Sequence, residues 1–247
     1  MATLRDKLAA PAASFGTWLA IDNPIAAETM GRVGFDVVAI DLQHGGASEA
    51  SLLPMLQALD AAGTPALVRV PWPDQTRIMR VADLGAAGVI VPMINSAADT
   101  ELAVSAIRYP PRGIRSFGPV RRWYSPEGAA EDALCVVMVE TAQALDELDA
   151  IAATPGLDGI LVGPVDLALA LGFPLSLEMR PEILDAIERV GAACARHGLI
   201  CASVSFDTAN AAQQLARGVT LLTAGSDSMF MRRSAEAELA ALRDAAG

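Results

Sequence analysis

The chain has 247 residues and a formal net charge of −11, with 53% apolar residues but only 4% aromatic ones. An acidic surface of this kind disfavours nucleic acid and anionic membranes as partners, because phosphates attract basic surfaces. A core poor in aromatics must be built from Ala, Val, Leu and Ile, which suits helices covering a parallel sheet better than a β-sandwich.

The opening MATLRDKLAAP is too polar for a signal peptide, which leads to the expectation of a cytoplasmic protein. Residues 3–9 read as a short helix. Apolar runs then predict strands at 15–21, 36–42, 65–70, 88–93, 135–140, 159–164, 200–205 and 220–226. Several are continuous β-branched runs without alternation, the pattern of strands buried on both faces. Amphipathic stretches lie between them, such as 48–63, with Ser48 as N-cap and Gly63 as the stop. Residues 118–132 form the one long irregular stretch, a length at which loops are usually functional or mobile. No apolar run reaches the roughly 18 residues of a membrane span. Strands alternating with helices in this number predict a (β/α)8 TIM barrel, a single domain over 1–247, with the short N-terminal helix closing its bottom. An open doubly wound sheet is the alternative, but no G-x-G-x-x-G follows an early strand. Cys135, Cys194 and Cys201 show no metal spacing and read as buried reduced thiols.

In such a barrel, catalytic groups come from the C-terminal ends of different strands. Asp41, Gln43 and His44 end or follow the second predicted strand. Arg69 is penultimate in the third, Glu140 ends the fifth, and Asp166 follows the sixth. Charges inside apolar strands are costly unless paired or bound to a metal. Glu140 and Asp166 repel unless a cation lies between them. Two hard oxygens completed by water and substrate make a Mg2+ or Mn2+ pattern. The same carboxylates read equally as caps of the helices that follow. Arg69 has two readings, as the structural partner of Asp41 or as a donor to an oxyanion. His44, at a strand exit, reads as a base near neutral pH. His197, in a last helical turn before Gly198, complements the helix dipole and carries no chemistry. Asp83 is either a surface acid or one that needs a partner. Arg121, Arg122 and Trp123 either greet an anionic substrate or are solvated.

Taken together, GFDVVAIDLQHG (34–45), VRVPW (68–72), GVIVPM (88–93), RYPPRGIRSFG (108–118), VVMVET (136–141) and GILVGPVDLALALG (159–172) resemble the HpcH/HpaI class II pyruvate aldolases, in order and spacing from about residue 13 to 240. The resemblance implies a (β/α)8 barrel with a divalent metal (Mg2+, Mn2+ or Co2+). It implies reversible cleavage of 4-hydroxy-2-oxoacids to pyruvate, or a related 2-oxoacid such as hydroxypyruvate, and an aldehyde through a metal-stabilised enolate. On it, His44 is the general base, Arg69 stabilises the enolate, and Asp83 raises the basicity of the histidine. Glu140 and Asp166 are the metal ligands. Gly163, Pro164, Val165, Asp166, Gln43 and Trp18 contact substrate. It also implies a homo-oligomer, a hexamer built as a trimer of dimers, with the C-terminal helix (228–246) exchanged between partners. Three positions depart from the pattern of some members: Gln43 for Glu, Met138 for Gln, and Ala168 for Ser. The aldehyde pocket is expected around residues 115–125, with a contribution from a neighbouring subunit.

The only lysine is Lys7, in the predicted N-terminal helix. A Schiff-base aldolase needs a desolvated lysine in its site, so the metal route is expected. Two alternatives remain: a CoA-thioester lyase of the citryl/malyl type, which needs room for a nucleotide, and a non-catalytic 2-oxoacid-binding barrel.

Overall fold

The computed structural model describes residues 3–118, 121 and 133–246. Helix α1 (Leu4–Ala9) precedes β1 (Ser14–Leu19), α2 (Pro24–Gly31), β2 (Val37–Asp41) and α3 (Glu49–Ala62). Then follow β3 (Ala66–Arg69), α4 (Gln75–Asp83), β4 (Gly88–Val91) and α5 (Ala97–Ile107). The second half runs β5 (Leu134–Val139), α6 (Ala142–Asp146), α7 (Leu148–Ala152), β6 (Gly159–Val162), α8 (Pro164–Ala170) and α9 (Pro181–His197). It ends with β7 (Ile200–Ser205), α10 (Thr208–Leu215), β8 (Leu221–Ser226) and α11 (Asp227–Ala245). The strands close into a barrel in sequence order, each parallel to its neighbours, with β8 returning to β1. This is the (β/α)8 barrel that the apolar runs predict.

The predicted strand limits hold to within two residues. The fourth predicted run continues through Pro92 and Met93, whereas β4 stops at Val91. Pro92 has no N–H to donate to a ladder. Met93 has φ of 56°, which no strand residue adopts. Ser48 and Gly63 bracket α3 as expected, and Gly63 takes φ of 75°. His197 closes α9 before Gly198, as expected.

The core has two layers, because successive strand residues face opposite ways. Trp18, Val37, Ala39, Leu67, Ile90, Met138, Ile200 and Ala202 fill the barrel interior. Their sequence neighbours, among them Val38, Val68, Val89 and Cys201, pack outward against the helices. Leu8 of α1 is fully buried with the interior group, so α1 closes the barrel bottom as predicted. Asp158, just before β6, binds Arg5 of α1 and Arg108 beyond α5, and accepts the Cys135 N–H. The three cysteines are free and buried, and burial pushes the Cys135 thiol up to about 12. Among the described residues, no helix is long and apolar enough to cross a membrane.

Candidate active site

Parallel register makes Asp41 of β2 and Arg69 of β3 direct neighbours. Arg69 donates from Nε to Asp41 Oδ1 at 2.9 Å and from Nη2 to Oδ2 at 2.6 Å. A two-pronged, charge-assisted pair of this kind fixes one edge of the guanidinium. Trp18 of β1 lies beneath it, with Cζ 4.8 Å from the ring centroid. Among the described residues, the remaining nitrogen, Nη1, meets only the Met138 thioether at 4.0 Å, a weak acceptor. Arg69 therefore keeps a donor edge at the mouth.

Asp41 organises more than the arginine. Its Oδ1 also accepts the N–H groups of Gln43 at 3.0 Å and His44 at 3.2 Å. Burial pushes this carboxyl up, but the hydrogen bonds and charge of Arg69, with the His44 and Gln43 N–H groups, outweigh it and hold it below the usual carboxylate range. Gly45 lets the chain turn this tightly, since a Cβ there would lie 2.4 Å from the Asp41 carbonyl oxygen. The His44 side chain is left exposed on the rim. Gln43 is half-buried, and its side-chain oxygen is buried without a hydrogen-bond partner.

Glu140 follows β5 and is 2% exposed. Its Oε1 accepts the Met93 N–H at 2.7 Å. A left-handed non-glycine residue stores strain, and at Met93 that conformation accompanies the hydrogen bond to Glu140. Burial pushes the Glu140 carboxyl above its usual range. The Met93 N–H, Arg69 and His44 pull it down, and the charge of Asp166 pushes it further up. Asp166 is exposed in the first turn of α8. Gly163 leaves room for Glu140, because a Cβ there would come 2.7 Å from Oε2.

A cavity of about 270 Å3 opens between these groups, lined by Trp18, Asp41, Arg69, Met138, Gly163, Pro164, Val165 and Asp166. Val204, Phe206 and Met229 form its other wall. His44, Gln43 and Glu140 stand beside it rather than in its lining. Among the described residues, no group of three or more His, Cys, Asp or Glu side chains is placed to hold a metal ion. Glu140 and Asp166 are two carboxylates close enough for their charges to interact.

The family model for HpcH/HpaI aldolase/citrate lyase matches residues 14–234. The chain belongs to this family. It is 37% identical over 236 residues to a hydroxypyruvate/pyruvate aldolase of Rhizorhabdus wittichii, covering 92% of each chain. It is 35% identical over 242 residues to the 5-keto-4-deoxy-D-glucarate aldolase of Escherichia coli K12, covering 94% of this chain and 93% of the relative. A crystal structure of a family protein from Burkholderia cenocepacia superposes with a TM-score of 0.88 at 32% identity, covering 97% of this chain and 98% of that one.

Two expectations for this aldolase-family chain meet a different geometry. Asp83 ends α4, just before β4, and so lies at the barrel end opposite His44. It accepts from Arg115 Nε at 3.1 Å and Nη2 at 2.7 Å. Within the chain it does not reach His44, and Asp41 is the carboxylate that touches the His44 backbone. Arg121 likewise sits at the bottom, on Asp60 near the end of α3 at 2.5 Å and on the Leu84 carbonyl. Residues 115 and 121 therefore do not line this chain's own mouth. Arg122, Trp123 and most of the 118–132 stretch lie outside the described residues. Sequence reasoning noticed Asp41 but left it off the site. Its signal was an acid and a base at matching ends of consecutive strands.

Proposed function

We propose that this mouth reversibly cleaves 4-hydroxy-2-oxoacids to pyruvate or hydroxypyruvate and an aldehyde. The observation that carries the reading is Arg69, clamped by Asp41 and Trp18 with one donor edge left beside the two carboxylates. The names of the two curated relatives support the same reaction class. Glu140 and Asp166 fit a hard divalent cation (Mg2+, Mn2+ or Co2+), since burial and mutual repulsion already disfavour Glu140 as an unpaired anion. When bound, such an ion supplies Lewis acidity toward the 2-oxo group.

The chain's own groups do the rest. Arg69 Nη1 donates to the oxygen that gains charge as the C3–C4 bond breaks. It is held in place beforehand, so little reorganisation opposes that step. His44 takes the 4-hydroxyl proton, directly or through one water, and returns it by the same route to C3 of the enolate, which completes the 2-oxoacid. The first turn of α8 has no side-chain cap, and Val165 lines the cavity, so its N–H suits the substrate carboxylate. Gln43 and Trp18 complete the substrate contacts. Lys7 is on α1, paired with Asp36 at 2.8 Å at the far end, and forms no Schiff base in this mouth.

The same reading places the protein in the reducing cytoplasm, where free thiols persist. It also makes the protein a homo-oligomer, a hexamer of exchanged dimers. Helix α11 supports this, because Met231, Leu239 and Leu242 are 61%, 48% and 59% exposed in the isolated chain. Pyruvate release from 4-hydroxy-2-oxoacids, coupled to lactate dehydrogenase, tests the activity. EDTA should abolish release, and Mg2+, Mn2+ or Co2+ should restore it. Full turnover in chelator, or no pyruvate with any of the three ions, refutes the reading.

A further inference from the structure

Behind the cavity, a chain of buried contacts runs from the barrel wall to Arg69. Thr223, on β8, is 1% exposed. Its hydroxyl donates to the Ser203 carbonyl at 3.1 Å. The same oxygen accepts the Trp18 indole N–H at 2.9 Å. A hydroxyl has one proton and two lone pairs, so both bonds form together and fix its rotor. Trp18 is 8% exposed and packs in the barrel interior. Its ring then lies 4.8 Å from the Arg69 Cζ.

We propose that Thr223 is a positioning residue for the aldolase reaction, acting on Arg69 through Trp18. This rests on the reading of Arg69 as the enolate stabiliser. The Asp41 pair fixes the guanidinium along its edge but leaves it free to rock about that edge. The indole ring resists the rocking only if it is itself held. Tryptophan rotates about two side-chain torsions, and packing restrains it from the sides. Among the described residues, the Thr223 hydroxyl is the one polar anchor of its N–H, at a fixed depth below the mouth. The anchor comes from β7 and β8, on the opposite side of Trp18 from β2 and β3. The two halves of the barrel thus hold Arg69 from different directions. Burial raises the stakes, because an indole N–H that loses this acceptor has no water to replace it.

The test is a cycle of Thr223→Val, Trp18→Phe and the double variant, with Thr223→Ser as the rescue. Thr223→Val keeps shape and removes the acceptor. It should lower kcat about three- to tenfold, the rate equivalent of one net hydrogen bond, with KM changed less than twofold. Thr223→Ser should restore kcat to within about twofold. In the Trp18→Phe background, Thr223→Val should cost nothing further, because no N–H remains to anchor. Equal losses in both backgrounds, or no loss at all, overturn the proposal.

A second measurement does not need the enzyme to turn over. The chain has three tryptophans, and the Trp18 indole N–H is identified in a 15N-labelled sample as the signal lost in Trp18→Phe. In the wild-type protein it should be strongly protected from solvent exchange, and in Thr223→Ser still protected. An indole N–H of Trp18 that exchanges as fast as that of the exposed Trp72 overturns the relay. A protein without aldolase activity overturns the functional reading instead, and this signal then decides the relay alone.

Discussion

Asp41→Asn perturbs the group on which the site converges. The substitution keeps the shape and one accepting oxygen but removes the charge and turns an amide N–H2 toward Arg69. Both side chains of the pair are 11% exposed, so solvent screens the loss only slightly. Losing one charge-assisted hydrogen bond costs about 1.5–3 kcal/mol. For a chain of this length that is roughly 3–12 °C in Tm. The kinetic effect should be larger, because a guanidinium displaced by about 1 Å from the developing charge costs on the order of 100-fold in kcat. The His44 turn, hung on the same oxygen, loosens with it. Thermal unfolding and pyruvate-release kinetics on the same preparation measure both. A variant with a lowered Tm but a kcat within threefold of wild type would refute the role of Asp41 as organiser of Arg69. The pH dependence has a definite sign. The folded carboxyl lies below its unfolded value, so its contribution is present above the unfolded pKa of about 3.9 and is lost as pH falls through the folded value. Wild type should therefore lose its advantage over Asp41→Asn in strong acid, and equal gaps at neutral and acid pH would contradict this.

Further expected outcomes test other parts of the mouth. Gly163→Ala brings a methyl to about 2.7 Å from Glu140 Oε2, so it should weaken Mn2+ binding by calorimetry at least tenfold; unchanged affinity removes Glu140 from the ligand set. Asp83→Asn should lower Tm by releasing Arg115 yet leave both limbs of the pH–rate profile in place; a moved acidic limb would mean that Asp83 reaches His44 after all, across a subunit boundary. Leu239→Glu combined with Leu242→Glu should shrink the particle in analytical ultracentrifugation; an unchanged sedimentation coefficient leaves α11 out of the interface.

The strands were legible because a buried parallel sheet writes itself as unbroken apolar runs, and β2 and β5 follow theirs almost to the residue. Polar residues at the ends of such runs, Asp41, Arg69 and Glu140, were legible for the same reason, as charges that an apolar strand tolerates only at its mouth. Less legible was anything set by the direction of an intervening helix. Asp83 and Arg121 look near the site along the chain, yet α4 and the segment after α5 carry them to the barrel bottom. Partners across the barrel were invisible as well. Thr223 is 205 positions from Trp18, and nothing local marks it. Met93 carries no signal in its residue type, and its left-handed turn becomes visible only with the Glu140 contact from another strand end.

The most direct test of the central claim is exchange of the pyruvate methyl protons in D2O, followed by proton NMR. It isolates enolate formation from any choice of aldehyde. The methyl signal should be lost in a metal-dependent way with the wild-type protein, lost little or not at all with Arg69→Ala or His44→Ala, and persist at the solvent background rate in EDTA. Exchange that proceeds at the wild-type rate in Arg69→Ala, or that is absent from the metal-supplied wild type, would contradict that claim.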